Sequence, residues 1–73
     1  MGVLEDLADT LAKDAIEASE KLGDEDIITQ VAKQLGATST TMEETYLTSI
    51  RIRLSERRAR RFLEARLAPK DQH

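Results

Sequence analysis

Three residues punctuate this chain: Gly23, Gly36 and Pro69. Between them, apolar residues return every three or four positions, which is the spacing of one helix face. In residues 1–22 that stripe is Leu4, Leu7, Leu11, Ala15, Ala18 and Leu22, with Asp6, Asp9, Glu17 and Glu20 mostly opposite. Glu17 with Lys21 and Asp9 with Lys13 have the spacing of supporting i,i+4 pairs. Gly23 sits where a helix ends in a left-handed residue. The three-four alternation also suits a coiled-coil seam.

The second segment starts at Asp24, a good N-cap, with Glu25 and Asp26 at the positive end of the dipole. Ile27, Ile28, Val31, Ala32 and Leu35 form its apolar face, and Gly36 stops it. In the third, Thr41 and Glu44 fit a capping box. Met42, Tyr46, Leu47, Ile50 and Leu54 continue at helical spacing until Pro69 forbids more helix. The expectation is an all-α fold: one small domain over residues 1–68, helices near 3–22, 25–35 and 41–67, and a frayed tail over 69–73.

The run SIRIRLSERRARRFLEARLA, residues 49–68, tests that expectation because its first half alternates like a strand. It resembles the opening of ribbon-helix-helix DNA-binding proteins. That likeness implies a strand paired with its twin, with Arg51 and Arg53 facing the major groove. Three features favour helix instead. Too few residues follow Ala68 for that family's second helix, the capping box leads straight into the run, and no other stretch alternates comparably. As a helix, the run changes sides near Ser55. Leu47, Ile50 and Leu54 share one side; Ile52, Ala59, Phe62, Leu63 and Leu67 lie nearly opposite. Either the helix bends around Ser55-Glu56 or its second half packs on something else, most simply a second copy of the chain.

Charge is divided unevenly. Residues 1–45 hold 11 acidic and 3 basic side chains, and residues 46–73 hold 3 acidic and 8 basic, giving the net −3. The halves either pair with each other or offer charged surfaces to partners. Arg53, Arg57, Arg60 and Arg61, with Arg58 beside them, crowd one helix. Only Glu56 with Arg60 relieves the repulsion, so a counter-surface is expected: the acidic first half, an acidic protein partner or nucleic acid.

Residues 27–47, IITQVAKQLGATSTTMEETYL, resemble the helix-turn-helix of bacterial DNA-binding regulators. Val31, Ala32, Leu35, Gly36 and Met42 fall at its packing and turn positions. The resemblance implies that the following helix reads DNA. Thr45 stands where an apolar residue belongs, unless Tyr46 takes that role, and Glu43 and Glu44 would repel phosphate.

Other classes are thinly represented. There is no cysteine, and the lone histidine is His73, so no Ser-His-Asp or Cys-His set can be assembled. Asp24-Glu25-Asp26 lacks calcium-loop spacing, and no glycine-rich phosphate loop is present. The chain is expected to be non-enzymatic, with no cofactor, metal or small-molecule substrate. No run has the roughly 18 apolar residues of a membrane span. MGVLEDLADT lacks a signal-peptide core, and Asp6 departs from a myristoylation signal. A cytoplasmic helical interaction or regulatory module, homodimeric and binding a protein through its basic third helix, is the leading expectation. A small helix-turn-helix DNA-binding regulator is the alternative.

Overall fold

The computed structural model describes residues 2–69. It contains three helices, α1 (Val3–Leu22), α2 (Asp26–Gly36) and α3 (Thr40–Leu67), and no strand among the described residues. The tail expected over 69–73 lies, Pro69 apart, outside the described residues.

Each junction has a local cause. Gly23 ends α1 at φ 65°, ψ 32°, a left-handed conformation that costs glycine little. Its N–H and that of Asp24 both bond to the Ser19 carbonyl. The Asp24 carboxylate then accepts the Asp26 N–H at 3.0 Å, so Asp24 starts α2 through a tight side-chain turn. Gly36 behaves differently: it completes the last turn of α2, and its φ is not positive.

The cap of α3 lies two residues before the expected Thr41. Ser39 is extended (φ −155°, ψ 104°), and its Oγ accepts the Met42 N–H at 3.1 Å. Thr41 already lies inside the helix, where its carbonyl accepts the Thr45 hydroxyl at 2.9 Å. The expected Thr41–Glu44 box therefore does not form. Serine caps as well as threonine, and the chain leaves α2 at Ser39 in the extended conformation a cap requires.

The core is built from Ala8, Ala12, Ala15 and Ile16 of α1, Ala32 of α2, and Tyr46 and Ile50 of α3. Leu11, Ile28, Val31, Leu35, Met42, Leu47 and Leu54 pack around them, partly buried. Tyr46 has no exposed surface, and its hydroxyl donates to the Ile28 carbonyl at 2.9 Å, tying α3 to α2. Burial raises the Tyr46 pKa.

On α1 the buried face departs from the expected stripe. Ala8, Ala12, Ala15, Ile16 and Ser19 turn inward, while Leu7 and Leu22 remain 57% and 67% exposed. At 100° per residue, the face is rotated by roughly 80°. Alanine lets neighbouring backbones approach closely, and the gain from close packing outweighs the larger leucines. Ser19 fits this face because its hydroxyl donates to the Ile16 carbonyl at 2.9 Å. The expected pairs also re-form: Lys13 meets Glu17 at 3.6 Å, and Asp9 turns to α3.

Residues 49–55 are helical, so the ribbon arrangement does not occur. Ile50 is buried, whereas Ile52 is 64% exposed; the two share no face. The helix α3 continues through Ser55 and Glu56 to Leu67. Every described residue from Arg58 onward is exposed, so the second half of α3 adds nothing to the described core. Ten helical residues beyond Arg57 extend about 15 Å.

Candidate interaction surface along α3

The arginines of α3 divide by what they touch. Arg53 grips Asp9 with both arms of the carboxylate: Nε to Oδ1 and Nη2 to Oδ2, each at 2.8 Å. Hydrogen bonding from Arg53 holds the Asp9 carboxyl below the usual 3.8, and the same bond raises the Arg53 pKa. One turn later Arg57 pairs with Glu20. These two contacts tie the acidic α1 to the basic α3, so part of the charge asymmetry is spent inside the chain. Both pairs stay partly exposed, and solvent screening keeps the stability such pairs contribute small. Their main effect is to set how α3 lies along α1.

Arg60 pairs with Glu56 along its own helix, as the spacing predicts, and that contact raises its pKa. Arg58 and Arg61 differ from the other three. Among the described residues neither has an acidic side chain within ion-pair range. With Arg57 they line an open cleft of about 550 Å³ where α3 passes the α1–α2 corner. Ile16, Ile28 and Leu54 supply its apolar surface, and Glu20 and Glu25 stand on the α1–α2 side. Of the five arginines marked in the sequence, Arg58 and Arg61 are thus the two without an ion pair among the described residues. Their alignment with an apolar-floored cleft is not legible from spacing, because the cleft needs all three helices.

The apolar set Ala59, Phe62, Leu63 and Leu67 is exposed as a group. Phe62 is 65%, Leu63 53% and Leu67 74% exposed, and Ile52 continues the set toward the body. The Arg66 guanidinium lies over the Phe62 ring, 5.8 Å from its centroid, a cation–π contact that covers only part of the ring.

The α2–α3 corner is compact. Ala32 is buried, Val31 and Leu35 are partly so, and the helices are joined by Ala37, Thr38 and Ser39. Tyr46 takes the inward position, leaving Thr45 at the edge. The corner turns without a left-handed glycine at Gly36. Instead Glu43 folds over Gly36, where an added Cβ would meet its carboxylate. At the exposed start of α3, Thr45 and Thr48 hydroxyls donate back to the Thr41 and Glu44 carbonyls at 2.9 and 3.0 Å.

No protein-family model matches the chain, and no curated protein or solved structure matches it either.

Proposed function

We propose that this chain is a non-enzymatic helical module that binds an acidic segment of another protein through the basic C-terminal half of α3. The observation that carries the reading is the placement of Arg58 and Arg61. They lack an acidic partner among the described residues and border the apolar-floored cleft at the α1–α2 corner. A guanidinium grips a carboxylate bidentately, and a neighbouring apolar surface receives a side chain from the same segment. An acidic sequence with one or two bulky apolar residues has both features. Duplex DNA offers the charge but no comparable anchor.

Selection from a random peptide library displayed on phage tests the reading. Enriched peptides should combine Asp or Glu with Leu, Ile or Phe, and Arg58→Glu with Arg61→Glu should abolish their binding. A second reading, a small DNA-binding regulator, draws on the short α2–α3 connection around buried Ala32. Glu43 and Glu44 at the start of α3 count against it. Affinity for duplex DNA that falls steeply with salt and disappears in the same double variant would transfer the function to that reading. Enrichment of no acidic peptide would remove the first.

A further inference from the structure

The side of α3 turned away from α1 and α2 carries a second pattern, separate from the Arg58–Arg61 cleft. Ile52, Ser55, Ala59 and Phe62 follow one another at steps of three, four and three, with Leu63 beside Phe62; Arg66, whose guanidinium lies over the Phe62 ring, takes the next position of the series. All are exposed. This is the spacing of a seam between two helices. The seam covers the stretch beyond Arg57, which adds no residue to the described core.

We propose that a second copy of this chain covers the seam, with the two α3 helices side by side and parallel. Charge selects the occupant and its direction. Arg51 and Arg58 border one edge of the seam, and Glu56 borders the other. In a parallel pair, a residue at the first edge faces the twin's residue five positions later. Arg51 then meets Glu56 of the twin, and symmetry makes the contact twice. Arg58 meets Leu63 of the twin, where its methylene stem lies over hydrocarbon. In an antiparallel pair like edges face each other, bringing Arg51 and Arg58 against the twin's arginines. The Glu56 carboxylate has acceptor sites for both its own Arg60 and the twin's Arg51. Because α1 and α2 cover the opposite side of α3, they lie outermost in such a dimer and do not obstruct it. The proposal goes beyond the acidic-segment reading and shares only Arg58 with it; the tested pair, Arg51 and Glu56, belongs to this proposal alone.

Sedimentation equilibrium of the full chain over a wide concentration range tests it. A concentration-dependent dimer is expected. Arg51→Glu alone, or Glu56→Arg alone, should weaken it about tenfold, and the two together should restore it to within about threefold, the signature of a direct pair. Both positions are exposed, and circular dichroism confirms that each variant remains helical. Direction is read separately. The chain has no cysteine, so Ile52→Cys and Arg66→Cys chains can be mixed and oxidised. Products joining 52 to 52 and 66 to 66 support the parallel pair. Dominant joining of 52 to 66, a monomer at every concentration, or a dimer indifferent to the charge exchange would each overturn it. None of these results alters peptide selection, so failure of one reading leaves the other standing.

Discussion

Tyr46 is the one large side chain with no exposure, and it is held at both ends: its ring lies in the core, and its hydroxyl bonds to the Ile28 carbonyl. Two substitutions separate these contributions. Tyr46→Phe keeps the ring and removes the hydrogen bond. The Ile28 carbonyl still has the helical N–H of Ala32 available, so no buried group is orphaned. The expected cost is about 1 kcal/mol, lowering Tm by roughly 4–8 °C in a domain of this size. Tyr46→Ala also removes the largest fully buried side chain from the core. Aromatic-to-alanine truncation costs about 3–5 kcal/mol, and a chain of this length has a total of roughly 4–11 kcal/mol. That variant should be partly or largely unfolded at room temperature. Urea denaturation followed by far-ultraviolet circular dichroism reads both, with Leu22→Ala as an exposed-site control expected to stay within about 0.5 kcal/mol. If Tyr46→Phe costs about as much as Tyr46→Ala, or if Tyr46→Ala costs no more than Leu22→Ala, the account of the core is refuted.

The remaining predictions concern α1, the α3 cap and acid stability. Ala12→Leu should overpack the α1 face and cost about 1–3 kcal/mol, while Leu7→Ala should be nearly neutral; the reverse order in denaturant midpoints would restore the leucine stripe as the buried face. Ser39→Ala should cost about 1 kcal/mol by removing the cap on Met42, whereas Thr41→Ala should change the thermal midpoint little, and equal losses would contradict the observed helix start. The Asp9 carboxyl is held below its usual 3.8 by Arg53, so in acid the unfolded chain takes up its proton before the folded chain does. The stability it contributes is present above that value and is lost as pH falls through the lower folded value. Asp9→Asn should flatten the pH dependence of the urea midpoint in that range; an unchanged acid slope would show that the pair is not formed in solution.

Much of the fold was legible along the chain because helices are local objects. Breakers and periodicity place all three within a residue or two, since backbone hydrogen bonds span four residues and Gly23 ends its helix where it stands. The Arg60–Glu56 pair and the apolar set Ala59, Phe62, Leu63 and Leu67 are legible for the same reason, being neighbours on one helix. Which face of α1 turns inward was not, because hydrophobic spacing weighs each residue's hydrocarbon and cannot weigh how closely two backbones approach. Ala8 and Ala12 prevail over Leu7 and Leu22 only when α3 lies across them. The division among the arginines has the same origin. Arg53 and Arg57 find Asp9 and Glu20 at separations of 44 and 37 residues, while Arg58 and Arg61 are left facing the cleft. Charge by itself left open whether the two halves of the chain pair or face outward; only the packing of three helices decided which charges meet.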